Sequence, residues 1–194
     1  PDYIKYEVDT LGLARRLFKL ASNVQSSPLG DSISLYDIFT DDELYGYWLA
    51  DNASWYVGYG ACLLNGATQP YSQRNLLRTI IHEADRCIAL ERPGATLRFG
   101  HETMVLPLTC LLDINGYGLS TDNLDELESK GWVNYRIFPM GANIQLVFYR
   151  RNPSDADVLV KVLLNENEAT LPLPSDLAPY YRWSDFKEFY LNRS

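Results

Sequence analysis

Histidine is scarce in this 194-residue chain, with His82 and His101 the only two. Cysteine is scarce as well, at Cys62, Cys87 and Cys110, and no two stand at CxxC spacing. Together these shortages leave no zinc ligand set at a known spacing. A zincin helix needs a second histidine four residues after the first, and position 105 is Val. There is no Walker loop, no GxGxxG and no GxSxG, which removes the common phosphate-cradling and nucleophile-elbow motifs. Basic excess is missing: 17 Lys and Arg face 25 Asp and Glu, for a net charge of −8. A nucleic-acid binder is therefore not expected, because phosphate backbones call for a basic face. No apolar run approaches the ~18 residues that a membrane helix needs, so no membrane span is expected. The chain opens on Pro1 rather than Met, which implies a cut or processed start, so the lack of a leader carries no information about export.

What is present is an aromatic, core-forming composition. Apolar residues make up 46% and charged residues 22%, with fourteen Tyr and four Trp. Aromatic burial supplies much core area, so an aromatic core is the first reading of that content. The first ninety residues read as helical. Apolar residues at 11, 13, 14, 17, 18 and 20 predict one helix over Thr10–Leu20. Thr40-Asp41-Asp42-Glu43 is a capping box for another, in which the hydroxyl and the carboxylate satisfy free backbone N–H groups. Ser72 is expected to cap a third, with Leu76, Leu77, Ile80, Ile81, Ala84, Cys87 and Ile88 along one face. That pattern makes Cys87 and Cys110 buried thiols, while a Cys62–Cys87 disulfide stays open. His82 reads as solvent-facing or partly packed.

At Arg92-Pro93-Gly94 the texture changes. Ala95–Gly100 predicts a short buried strand, and Thr103–Leu112 a helix that stops near Asn115-Gly116 with Pro107 in its first turns, where a missing N–H costs little. Three more strands are expected over Val133–Phe138, Asn143–Tyr149 and Val158–Leu164, the first two joined by the turn Pro139-Met140-Gly141-Ala142 and the last two separated by Arg151–Asp155. Ser184 reads as the cap of a final helix, Asp185–Leu191. The expected organisation is a helical region over 1–90 and a mixed α/β region over 91–194.

His101 stands where the expected strand meets the expected helix. Helix N-termini present free N–H groups and a partial positive charge, which suits a phosphate. Gly100 permits close backbone approach. His101 can donate to a phosphate oxygen, and Thr103 offers a hydroxyl. Glu102 can act as a general acid if burial or a nearby phosphate raises its pKa. Taken alone, Gly-His-Glu-Thr equally describes a polar turn without chemistry.

The run Leu97-Arg98-Phe99-Gly100-His101-Glu102-Thr103, with Leu106-Pro107-Leu108 after it, resembles the C-terminal motif of histidine acid phosphatases (branch 2 of the histidine phosphatase superfamily). It is most similar to the multiple inositol polyphosphate phosphatase and phytase-like group. Phe39–Glu43 with Trp48, Asn52 and Trp55-Tyr56 resembles the helical cap of that group. Tyr71–Ile88 resembles the helix before the motif, Asn143–Tyr149 and Val160–Glu166 the strands after it, and Trp183–Phe186 its ending. Those families carry His-Asp or His-Ala-Glu, whereas here Glu102 follows His101 directly. The Arg-His-Gly-x-Arg-x-Pro motif that bears their nucleophile has no counterpart in these residues.

The resemblance implies the C-terminal portion of a three-layer α/β domain, with 1–90 as its helical cap and 91–194 as its α/β part. It implies a phosphomonoesterase without a cofactor, acting through a phosphohistidine on an inositol phosphate or a related small molecule, in the periplasm or outside the cell. His101 and Glu102 become the catalytic pair, and Arg98 and Thr103 phosphate contacts. The nucleophile belongs to a missing N-terminal half, so the chain alone is expected to be inactive and prone to associate through open sheet edges. A noncatalytic phosphate-binding remnant and an unrelated interaction module are the rival readings.

Overall fold

The computed structural model describes residues 2–152 and 154–192. Pro1 therefore lies outside the described residues, as does Pro153 of the expected break at Arg151–Asp155. The structure is mixed helix and antiparallel sheet, as expected for the α/β class. It divides into two compact units, Pro1–Ser54 and Trp55–Ser194.

The first unit holds helix α1 (Asp2–Glu7), helix α2 (Thr10–Val24) and most of helix α3 (Asp41–Tyr59). Asp9 caps α2 by accepting the Gly12 N–H at 2.9 Å. The capping box of α3 forms as read: Glu43 accepts the Thr40 N–H at 2.8 Å, and the Thr40 hydroxyl accepts the Glu43 N–H at 3.3 Å. Phe18 stacks on Tyr47 with ring centres 5.4 Å apart, and Phe39 closes the cluster edge-on. Only Ala21 and Asn52 are buried among the described residues of this unit.

The second unit carries a contiguous core. Its centre is strand β2 (Leu159–Leu164), which pairs antiparallel with β1 (Ile144–Tyr149), β3 (Asn167–Glu168) and β4 (Tyr180–Arg182). Period-two alternation buries Val160, Val162 and Leu164 on one face. Against them pack Leu77, Ile81 and Ala84 of α4 (Arg74–Ile88), Leu108 and Leu112 of α5 (Glu102–Leu112), and Trp183, Phe186 and Tyr190 of α7 (Trp183–Leu191). The Tyr190 hydroxyl donates to the Leu112 carbonyl at 2.7 Å, tying α7 to the end of α5.

Several local expectations change. Val133–Phe138 is not a strand: Asn134–Ile137 forms the short helix α6, and among the described residues β1 pairs with β2. Alternating apolar residues fit either element, and no described strand pairs with this run. The Pro139–Ala142 turn therefore joins a helix to a strand. Gln73, not Ser72, occupies the N-cap of α4, because Gln69–Gln73 is already wound as a 3₁₀ turn. The last helix starts at Trp183 after β4, two residues ahead of the expected start. Cys87 is exposed, at the margin of the packed stripe of α4, whereas Cys62 and Cys110 are buried; all three are free thiols. Pro107 is the sixth residue of α5, beyond the first-turn positions where no backbone partner is lost.

Ala95–Gly100 departs furthest from expectation. It belongs to none of the described sheet's strands, and every residue from 91 to 102 is exposed. A strand exists by its neighbours' hydrogen bonds, and none of the described strands lies beside this one.

Candidate active site

The residues singled out by the sequence are consecutive in space as in the chain. Arg98 sits on the exposed segment that precedes α5. His101 occupies the N-cap of α5 with extended backbone (φ −107°, ψ 165°), and its side chain makes no cap hydrogen bond. Its carbonyl accepts the N–H groups of Met104 at 2.9 Å and Val105 at 3.3 Å, which starts the helix. The amides of Glu102 and Thr103 lie in the first turn, where an α-helix has no backbone partner to offer. These amides and the positive end of the helix dipole lie at the N-terminal end of an eleven-residue helix, next to His101.

His101 and Glu102 are exposed and Thr103 is half-buried. Glu102 is thus not enclosed by the described residues. Nor is Gly100 forced by crowding: a Cβ there would meet only the Met104 side chain, at 3.7 Å. Two hollows of about 400 Å³ lie elsewhere. One runs along α4 past Arg78, His82 and Asp85, and the other lies beside Tyr71 and Arg74. Neither includes residues 98–103. Among the described residues, no group of three or more His, Cys, Asp or Glu is placed to hold a metal ion, and no helix is long and apolar enough to cross a membrane.

The segment is anchored from behind. The Cys87 sulfur lies 3.2 Å from the Thr96 hydroxyl, and the Arg150 guanidinium donates to the Leu90 carbonyl at 2.9 Å. The helix before the segment is fixed by Asp85, which accepts the Trp183 indole N–H at 2.7 Å and the Lys187 ammonium at 2.9 Å. Burial works to raise the Asp85 carboxyl, but the hydrogen bonds from Lys187 and Trp183, together with charge attraction led by Lys187, hold the group below the usual carboxylate range. Sequence reading missed this node, since its members stand about a hundred residues apart and no local pattern links them.

The family model of the histidine phosphatase superfamily (branch 2) matches residues 9–165, so the chain belongs to that superfamily. No curated protein matches it. Among solved structures it is similar to the Bifidobacterium longum multiple inositol polyphosphate phosphatase. The phosphate complex gives 23% identity and a TM-score of 0.75, covering 91% of this chain and 39% of that one. The inositol hexasulfate complex gives 21%, 0.70, 91% and 38%. The apo form gives 23%, 0.68, 81% and 34%. At that identity the likeness establishes the shared fold, and this chain spans under two fifths of the length of the protein it resembles.

Proposed function

We propose that residues 1–194 form the C-terminal part of a histidine acid phosphatase that hydrolyses phosphomonoesters, with inositol polyphosphates as the substrate class. In this reading residues 1–90 belong to the helical cap and 91–194 to the α/β part, and the protein works in the periplasm or outside the cell. The observation that carries the reading is the placement of His101-Glu102-Thr103 on the free N-terminus of α5 within a member of this superfamily. That position favours an anion through unpaired N–H groups and the helix dipole.

In the proposed reaction, a histidine outside these residues attacks phosphorus. The N–P bond forms as the bond to the leaving oxygen breaks, and Glu102 gives its proton to that alkoxide. Water then attacks phosphorus, the N–P bond breaks, and Glu102 takes up the water proton. His101 donates to the oxygens on which charge gathers, while Arg98 and Thr103 hold the phosphate.

The test uses the full polypeptide of which these residues are part. Glu102→Gln is expected to lower kcat on phytate by about 10²- to 10⁴-fold. On p-nitrophenyl phosphate, whose leaving group needs no proton, the loss should be far smaller. His101→Ala should suppress both. Residues 1–194 alone should release no phosphate from either substrate. Equal, small effects of Glu102→Gln on both substrates would remove Glu102 as the proton donor. Tight phosphate binding with no turnover by the full polypeptide would favour the noncatalytic alternative.

A further inference from the structure

Asn-Gly occurs twice in the chain, at Asn65-Gly66 and Asn115-Gly116. The pair sets a side-chain amide beside a main-chain nitrogen that no Cβ shields. The structure holds the two copies differently. Asn65 is half-buried, its Nδ2 donates to the Val57 carbonyl, and its buried Oδ1 receives no donor among the described residues. Asn115 is exposed, and its Oδ1 is gripped. The Thr170 N–H donates to that oxygen at 2.8 Å and the Thr170 hydroxyl at 3.2 Å. The Asn115 N–H answers by donating to the Thr170 carbonyl at 2.9 Å. Asn115 and Gly116 both take left-handed backbone, with φ of 53° and 79°. A Cβ on Gly116 would meet nothing within 4 Å, and the Gly116 N–H makes only a long hydrogen bond to the Asp113 carbonyl, at 3.3 Å.

We propose that Asn115 is a site of self-catalysed deamidation through a cyclic imide, promoted by Thr170. The Gly116 nitrogen attacks Cγ of Asn115. The new N–C bond forms as that nitrogen gives up its proton, and negative charge gathers on Oδ1. The two Thr170 donors already sit on this oxygen, as the donors of an oxyanion hole sit on theirs. The bond from Cγ to Nδ2 then breaks, and the nitrogen leaves with the proton as ammonia, directly into solvent. Water opens the imide at either carbonyl, giving aspartate, or isoaspartate whose main chain runs through the side-chain methylene. One amide nitrogen is exchanged for one water oxygen, and no oxidant or metal takes part. Aspartate keeps an acceptor for Thr170 and adds a negative charge. Isoaspartate adds a carbon to the backbone and undoes the two-way clasp between the end of α5 and the segment that joins β3 to β4. At Asn65 no donor stabilises Oδ1, and the packed surroundings close the way for ammonia and water. The inference is independent of the proposed function.

The test ages the full polypeptide of which these residues are part in mildly alkaline buffer. Timed samples are digested and read by mass spectrometry, with fragmentation that separates aspartate from isoaspartate. In the folded polypeptide Asn115 should convert at least ~10-fold faster than Asn65, with isoaspartate among its products. In urea, where both are ordinary Asn-Gly pairs, the two rates should agree within ~3-fold. Thr170→Val keeps the N–H and the side-chain volume but removes the hydroxyl. It should slow Asn115 by at least ~3-fold in the folded state and leave the rate in urea unchanged, and Thr170→Ser should restore the parent rate. Conversion of Asn65 as fast as Asn115 in the folded polypeptide overturns the proposal. Aspartate without any isoaspartate overturns the imide route. A folded Thr170→Val polypeptide that deamidates as fast as its parent, or faster, overturns the role of Thr170. The ratio of Asn115 to Asn65 is read on the unaltered polypeptide, so it decides the matter even where Thr170→Val does not fold.

Discussion

Replacing Tyr56 with phenylalanine removes one oxygen atom from the centre of the second unit and leaves the ring in place. That oxygen accepts the Thr121 N–H at 2.9 Å and stands 3.0, 3.2 and 3.3 Å from the carbonyls of Leu119, Thr121 and Ala61. It has a single proton to give, so one donated and one accepted hydrogen bond are lost, each contributing about 1 kcal/mol net. Tyr56 is fully buried and Thr121 is buried beside it, so water cannot replace the lost acceptor. A stranded buried N–H adds about 1–3 kcal/mol, which puts the loss at about 3–5 kcal/mol. No cavity adds to this, because the ring keeps its edge-on contact with Trp132 at 5.0 Å. Urea unfolding followed by tryptophan fluorescence reads the difference, with an unchanged m-value expected. Tyr181→Phe is the internal comparison: among the described residues its hydroxyl accepts the Leu171 N–H alone, at 2.9 Å, so it should cost less. A Tyr56→Phe loss below about 0.5 kcal/mol would refute the assignment of the hydroxyl as the clamp between residues 61 and 119–121.

Burial pushes the Cys110 thiol from an ordinary 9.0 to about 12; the Trp132 hydrogen bond works against that rise and the Asp113 charge adds to it. The unfolded chain therefore gives up this proton first, and stability should fall as pH rises above about 9, by up to about 1.4 kcal/mol per pH unit for this one group. Cys110→Ala should flatten that alkaline limb in urea titrations run from about pH 8 to 11, and an unchanged slope would exclude the thiol as its source. Phe186→Ala should cost about 3–5 kcal/mol, because its ring is fully buried between Trp183 and Tyr190. Phe99→Ala in the same 194-residue chain should change stability by less than about 0.5 kcal/mol, and comparable losses from the two would contradict the exposure of Ala95–Gly100.

Helices with strong periodicity and complete caps were legible from the sequence. α2 and α4 follow from apolar spacing, and α3 starts at the capping box because Thr40 and Glu43 satisfy each other's backbone within four residues. β1 and β2 were legible for a similar reason: six-residue runs rich in apolar side chains, β-branched in both and aromatic in β1, suit a half-buried strand. Val133–Phe138 shows the limit, since a short apolar run is settled by whether a partner strand is present. Cys87 shows it at the level of a single residue, because helical spacing names a stripe but not how wide the packed part of that stripe will be.

The motif itself was a matter of sequence. Gly-His-Glu-Thr ahead of an apolar helix placed His101, Glu102 and Thr103 at the start of α5, because the break in periodicity and the onset of helix are local properties of the chain. Only the tertiary structure decided the state of Ala95–Gly100. Strand pairing is a contact between distant segments, and the sequence of one strand is silent on whether its neighbour is present. The same holds for Asp85, Trp183 and Lys187, and for Tyr56 and Thr121, whose hydrogen bonds span 98, 102 and 65 residues. Local free energies determined which elements form, and packing across long sequence separations determined which are completed.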